Sequence, residues 1–258
     1  MTNPTLRFSS RVENYVKYRP GYPADIIATL TKECGLTAES VIADIGSGTG
    51  ISSEVFLKNG NRVFGVEPNR EMREAGEQLL GKYPDFTSVN GTAEETTLAD
   101  CSIDFVTAGQ AFHWFDRDRA RKEFTRILKP NGCVVLIWNE RLTDTSPFLR
   151  VYEELLQRHG TDYASVDHRN VDTDAITKFF APQPVTQREF NNRQIFDYDG
   201  LKGRLLSSSY TPEPSHSNYQ PMLDALRALF DKYQISSEVS FDYATRLYFG
   251  RLVRQLEA

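Results

Sequence analysis

Through the first half of the chain, short β-branched and aromatic runs alternate with longer segments of helical spacing. Residues 41–45, 62–66, 103–108 and 134–138 are apolar runs, which predicts buried strands. Between them, residues 52–58, 69–80 and 117–128 set apolar side chains three and four apart, which predicts helices. Strand alternating with helix implies a parallel sheet covered on both faces. After residue 139 the pattern changes: a helix over 147–158, a polar stretch rich in Asp and Asn, a strand over 185–190 and a helix over 219–232. Val239, Phe241, Tyr243, Thr245, Leu247 and Phe249 then recur at period two, predicting a final half-buried strand. The expected organisation is a core over 1–139, an insertion over 140–238 carrying one core strand at 185–190, and a closing strand within 239–258.

Composition adds limits to this picture. At 258 residues, 40% apolar and 25% charged, the chain has the usage of an ordinary globular protein and room for one large domain with an insertion. The longest apolar run, residues 133–138, is far below the ~18 residues of a membrane span, and the first residues lack the apolar region of a secretory signal. A cytoplasmic location without membrane insertion is expected. With 35 acidic and 30 basic residues the net charge is −5, so no global field draws in a polyanion, which argues against nucleic acid. Cys34, Cys101 and Cys133 lie far apart, without Cys-x-x-Cys or a neighbouring His, so reduced thiols, mostly in the core, and no metal are expected. Twelve of the 16 glycines precede residue 139, which puts the close backbone approaches in the front half.

The densest of these is Asp44-Ile45-Gly46-Ser47-Gly48-Thr49-Gly50, directly after one predicted strand and before a helix. Glycines there let the backbone turn sharply and approach a ligand, while the helix N-terminus presents free N–H groups. The dinucleotide fingerprint needs its third glycine at position 51, where Ile51 stands, and a phosphate loop needs Lys-Ser/Thr where the chain continues Ile51-Ser52-Ser53. NAD, FAD, ATP and GTP are therefore disfavoured. Glu67 ends the next strand, 17 residues past Gly50, where an acid accepts hydrogen bonds from ribose hydroxyls. Loop and acid together point to a nucleoside ligand.

These residues resemble the class I S-adenosylmethionine (SAM) dependent methyltransferases, whose first motif is apolar residues, an acid and Gly-x-Gly-x-Gly. The segments Gly91-Thr92-Ala93-Glu94, Ile103-Asp104-Phe105-Val106, Gln110-Ala111-Phe112-His113-Trp114-Phe115 and Arg126-Ile127-Leu128-Lys129-Pro130-Asn131-Gly132 are similar to the methyltransferase type 11 branch. Tyr15-Val16-Lys17-Tyr18-Arg19-Pro20-Gly21-Tyr22-Pro23, with the His-Trp-Phe segment, is similar to trans-aconitate methyltransferase-like proteins. The resemblance covers residues 8–139 and, loosely, the closing strand, but not the insertion. It implies an α/β, Rossmann-like, seven-stranded sheet whose last strand is antiparallel, with helices on both faces and the insertion as a helical cap over the acceptor. It implies SAM as cofactor and S-adenosylhomocysteine as product. Gly46 and Gly48 would let the backbone pass under the methionine part, and Asp44 would hold its amino group or fix the loop. Glu67, with Pro68 beside it, would take the ribose hydroxyls. Met72, Ala93 and Glu94 would border the adenine, and Gln110 would lie under the sulfonium side. Tyr15, Tyr18 and Arg19 would fold over the cofactor as a lid of about residues 1–22. Many relatives carry Asp where Thr92 stands, so recognition of the adenine amino group falls to Glu94.

His113 follows a strand end where the family places substrate-facing residues, and it is the candidate catalytic base; beside Trp114 and Phe115 it could equally be structural. Met72 with Ala75 and Leu79 could be simply a helix core face, and the basic residues of 117–129, interleaved with acids, a solvated one. A carboxylate acceptor would need only arginines to orient it, whereas a phenol, amine or carbon acceptor would need a base. Arg141, Arg150, Arg169, Arg193 and Arg204 are candidate carboxylate binders of the insertion. The function expected is methyl transfer to a small molecule, with a carboxylic acid as the candidate acceptor, by a monomer or homodimer. Two alternatives stand beside it: a SAM-binding sensor or partner subunit, and a nucleic-acid methyltransferase. The last is disfavoured, because DNA amino-methylating enzymes carry Asp/Asn-Pro-Pro-aromatic where this chain has Gly109-Gln110-Ala111-Phe112.

Overall fold

The structure, a computed structural model, describes residues 16–161, 163 and 172–253. Its strands are β1 (Val41–Ile45), β2 (Arg62–Val66), β3 (Phe86–Val89), β4 (Ile103–Gly109), β5 (Leu128–Arg141), β6 (Thr186–Phe196) and β7 (Val239–Gly250). The helices are α1 (Asp25–Cys34), α2 (Ile51–Lys58), α3 (Arg70–Leu80), α4 (Arg117–Ile127), α5 (Pro147–His159), α6 (Thr173–Phe180), α7 (Tyr198–Leu206) and α8 (Tyr219–Tyr233). The strands form one sheet in the order β3-β2-β1-β4-β5-β7-β6, parallel from β3 to β5, with β7 antiparallel to both β5 and β6. This is the seven-stranded α/β sheet with an antiparallel last strand that the resemblance implies.

Apolar clusters cover both faces. Ile26, Leu30, Phe56 and Leu80 of α1, α2 and α3 pack with Ile42, Val63 and Val135 on one; Ala120, Phe124, Phe179 and Phe180 of α4 and α6 pack with Ala43, Val106 and Leu136 on the other. Strand order reverses between β1 and β4, and in open α/β sheets the crevice at the carboxyl ends of such a pair receives ligands.

The closing strand is buried more completely than expected. Ala244 and Tyr248 are buried along with Phe241, Tyr243, Thr245, Leu247 and Phe249, because β7 has a neighbour on each side rather than an open edge. Its two halves also serve different cores. Leu247 and Phe249 join the sheet, whereas Val239, Phe241 and Tyr243 join a separate cluster with α5, α7 and α8. Because Tyr243 pairs with Arg141, the last residue of β5, this second cluster sits at the carboxyl edge of the parallel strands. Phe241, fully buried, meets the rings of Phe148, Tyr152 and Phe196 at 5.4, 4.9 and 5.5 Å between centroids. Phe241→Ala is expected to cost about 3–5 kcal/mol, measured by urea unfolding.

Other differences have local causes. β6 runs to Phe196 rather than 190 because its whole length pairs with β7. Residues 16–18 are helical and the helix stops before Pro20, as a proline requires. Cys101 is exposed rather than in the core, while Cys34 and Cys133 are brought to 3.5 Å between sulfurs. Among the described residues no helix is long and apolar enough to cross a membrane.

Candidate functional site

The loop after β1 is built around Asp44. Its carboxylate is fully buried and accepts from Ser52 Oγ and Ser53 Oγ, both at 2.6 Å, and from Thr107 Oγ1 at 3.1 Å. Burial pushes this carboxyl above its ordinary pKa, and the three hydroxyls act in the opposite sense. Of the two roles weighed for Asp44, fixing the loop matches these contacts, since they tie β1 to the first turn of α2 and to β4. Gly46 and Gly48 have φ of +66° and +56°. A Cβ on Gly46 would stand 2.7 Å from the Ala111 Cβ, and one on Gly48 3.3 Å from Met72 Cε, so bare backbone forms the floor.

On one side of this floor opens a cleft lined by Glu67, Pro68, Asn69, Met72, Thr92, Ala93, Glu94, Ala111, Trp114 and Phe115. Glu67 accepts the Gly48 N–H at 2.9 Å and the Asn69 N–H at 2.7 Å, one on each oxygen. A carboxylate has about four lone-pair sites, so both oxygens retain capacity for a diol. Burial raises the Glu67 pKa, opposed by those two N–H groups. Asn69 caps α3 by accepting the Met72 N–H and so fixes Met72 on the cleft wall. Thr92 Oγ1 accepts the N–H groups of Glu94 and Glu95, and Glu94 Oε1 accepts the Asp116 N–H at 2.8 Å. A side-chain-free floor, a buried carboxylate with spare acceptors and an apolar wall fit the nucleoside cofactor expected from the sequence.

On the other side lies a chamber lined by Arg19, Pro20, Tyr22, Thr49, Ile51, Ser52, Asn139, Arg141, Tyr163, Arg204, Tyr210 and Tyr243. Gly46, Gly48, Gly109 and Gln110 line both spaces and form their common wall. Gln110 sits at φ +56°, and its Nε2 donates to Asn139 O at 3.0 Å. Asn139 Nδ2 donates to Gly21 O at 3.0 Å, which attaches residues 20–21 to the sheet. Gln110 Oε1, Thr49 Oγ1 and Arg141 Nη1 are buried without a hydrogen-bond partner among the described residues, and all three residues line this chamber. Clustered unsatisfied atoms mark a place where a polar ligand would complete the bonding.

The structure thus brings Gly46, Gly48, Glu67, Pro68, Met72, Ala93, Glu94 and Gln110 together on the cleft, and Arg19 on the chamber. Tyr15 lies outside the described residues. Tyr18 lines neither space: its ring fills the groove over Gly203, where a Cβ would lie 2.0 Å from it. His113 also lies outside both, an exposed residue whose ring meets Trp114 at 4.6 Å between centroids. Desolvation of its packed side and the Arg117 charge push its pKa down to about 4, so it is neutral from pH 5.5 to 8.5. The geometry therefore places His113 on neither the cleft nor the chamber. His113→Ala is expected to keep methyl-transfer rates within threefold, with a pH–rate profile unchanged over that range.

Of the candidate arginines, Arg141 and Arg204 line the chamber, whereas Arg150 is exposed on the Asp144 carbonyl, Arg193 pairs with Asp242, and Arg169 lies outside the described residues. Sequence reasoning left Trp114, Asn69, Asn139, Tyr210 and Tyr243 unassigned. For Asn69 a helix-capping Asn directly before a helical run was the available signal; the others reach the site only through tertiary packing. Among the described residues no group of three His, Cys, Asp or Glu side chains is placed to hold a metal ion.

Known proteins similar to this chain are methyltransferases by name. Residues 43–136 match the methyltransferase domain family. An uncharacterized methyltransferase-like protein of Schizosaccharomyces pombe is 34% identical over 159 residues, 61% of this chain and 60% of its own length. An uncharacterized methyltransferase of Mycobacterium tuberculosis is 35% identical over 156 residues, 60% of this chain and 61% of its own. The chain thus spans about three fifths of the length of these curated relatives. In fold it is similar to a putative type II methyltransferase from Anaeromyxobacter dehalogenans, with a TM-score of 0.69 at 22% identity over 92% of this chain and all of the other. It is also similar to a putative methyltransferase from an antibiotic biosynthesis pathway of Anabaena variabilis, with a TM-score of 0.63 at 20% identity over the same shares.

Proposed function

We infer that the chain is a SAM-dependent methyltransferase of the type 11 branch, and we propose that its acceptor is a small acidic molecule held in the arginine-lined chamber. The observation that carries this reading is the common wall: the nucleoside cleft and the chamber meet at Gly46, Gly48, Gly109 and Gln110, where side chains are absent or end in an amide.

When bound, the cofactor supplies an electrophilic methyl group on a sulfonium centre. The protein's contribution is alignment, which can account for ~7–11 kcal/mol of barrier reduction when the reacting atoms are held in line. Glu67 would fix the ribose through its spare acceptor sites, and Met72 and Ala93 would border the base. The Glu94 Oε2 atom, unbonded among the described residues, would take the adenine amino group. Gln110, fixed by Asn139, would hold the boundary between the two ligands. Beyond the sheet the chamber draws Arg204 of α7, Tyr163 and Tyr210 from the region after β5, and this supports an acceptor recognised by that region. A carboxylate acceptor is already nucleophilic and needs no base, in keeping with the position of His113 outside the chamber.

Incubation with methyl-labelled SAM and a fractionated cell extract tests this reading. The expected result is label in a small, acidic fraction and S-adenosylhomocysteine accumulating beyond the protein concentration. Label in protein or nucleic acid would overturn the acceptor, and the absence of turnover with the cofactor bound would favour a sensor.

A further inference from the structure

Among the described residues the chamber lining contains three arginines, Arg19, Arg141 and Arg204, and no Asp or Glu. Two of these are held very differently. Arg141 has a carboxylate: its Nη2 meets Glu153 Oε2, and Tyr163 Oη donates to the same oxygen at 2.7 Å. Its Nη1 is nonetheless buried and, among the described residues, without a hydrogen-bond partner. Arg204, 6% exposed, has no carboxylate partner among the described residues. Its hydrogen bonds are to neutral hydroxyls: Nη1 to Ser208 Oγ at 3.0 Å and Ser207 Oγ at 3.4 Å, and Nε to Tyr243 Oη at 3.4 Å. Among the described residues no hydrogen bond occupies its Nη2.

A guanidinium never loses its charge in a protein, and a buried unpaired charge destabilises the fold, so a chain selected for stability alone would place an apolar side chain at 204. Nor do its neighbours depend on it: Ser207 Oγ and Ser208 Oγ each also donate to the Arg204 carbonyl, at 2.7 and 3.5 Å, which any residue there supplies. We propose that Arg204 and the open Nη1 of Arg141 together bind an oxyanion group of the acceptor, carboxylate or phosphate, and that Glu153 and Tyr163 are positioning residues that hold Arg141 for it. Arg204 is then the residue that selects an anionic acceptor over a neutral one. This rests on the reading of the chamber as the acceptor site.

The test is calorimetry and thermal denaturation of the full chain and of Arg204→Met, at constant ionic strength. The probes are succinate, inorganic phosphate and the neutral succinamide, with S-adenosylhomocysteine binding measured in parallel. Wild type is expected to bind an anionic probe and be stabilised by it, with no response to succinamide; succinate or phosphate, whichever acts at lower concentration, identifies the group. Arg204→Met is expected to lose at least tenfold in anion affinity, to bind S-adenosylhomocysteine within threefold of wild type, and to melt no lower than wild type without anion. Should that variant not fold, Arg204→Lys, which keeps the charge but not the planar fork, is expected to show the same tenfold loss. A variant that melts lower while binding the anion as wild type does would make Arg204 structural and overturn the proposal, as would a wild type indifferent to every anion. Loss of S-adenosylhomocysteine binding in wild type would instead remove the methyltransferase reading, because the anion measurement does not require the cofactor.

Discussion

Glu67→Ala is expected to weaken binding of S-adenosylhomocysteine by ten- to a hundredfold, measured by calorimetry. The carboxylate has two tasks, and alanine ends both. It accepts the N–H groups of Gly48 and Asn69, which holds the glycine loop against the start of α3, and its remaining lone pairs face the cleft. Hydrogen bonds to a charged group contribute about 1.5–3 kcal/mol each, so loss of one diol contact alone reaches tenfold. Glu67→Gln sharpens the result. The amide keeps one carbonyl oxygen but turns an NH₂ toward a backbone N–H, so it should bind nearly as poorly as alanine. A pH series gives an independent check. Burial raises the Glu67 pKa, so as the pH falls toward it the carboxyl gains a proton and loses acceptor capacity. Affinity should therefore decline on acidification in wild type and stay flatter in Glu67→Gln. Wild-type affinity in Glu67→Ala would remove the cofactor assignment.

The contrast between Glu67 and Arg204 shows what the sequence could convey. Glu67 was legible because its place follows from two local facts, a glycine loop after one strand and an acid at the end of the next, and parallel pairing of β1 with β2 sets them side by side. The same locality made most of the sheet readable, since a buried strand is a short apolar run. β3 escaped notice because it is a half-buried edge of four residues, and α7 because Gly200 and Gly203 weaken its helical pattern. Those glycines have a tertiary cause, for Gly203 is the seat of the Tyr18 ring. Arg204 follows directly in the chain, yet its burial depends on Tyr243 of β7, 39 residues on, and on a cap whose packing no local pattern encodes. The position of His113 was hidden for the converse reason: its neighbours in sequence are those of a site residue, but the turn at Phe112–Trp114 sends Phe112 inward and leaves His113 exposed.

A second large effect is expected at Gly46, where the backbone itself is the binding surface. Alanine there meets two separate obstacles. At φ +66° an L-residue costs about 1–2 kcal/mol, and the new Cβ would lie 2.7 Å from the Ala111 Cβ, closer than two carbons can stand. Neither methyl is the end of a flexible chain, so relief must come from the loop or from the segment after β4, and both line the cleft. Gly46→Ala should therefore bind S-adenosylhomocysteine about a hundredfold more weakly, since about 3 kcal/mol would be needed to restore the cradle. The two obstacles separate in a double variant. Ala111→Gly removes the overlap but not the dihedral strain, so Gly46→Ala/Ala111→Gly should recover about tenfold and no more, while Ala111→Gly alone should bind within threefold of wild type. Full recovery would mean that the positive dihedral at Gly46 is not needed by the ligand. Binding of Gly46→Ala within threefold of wild type would mean that the cofactor does not lie against this loop at all.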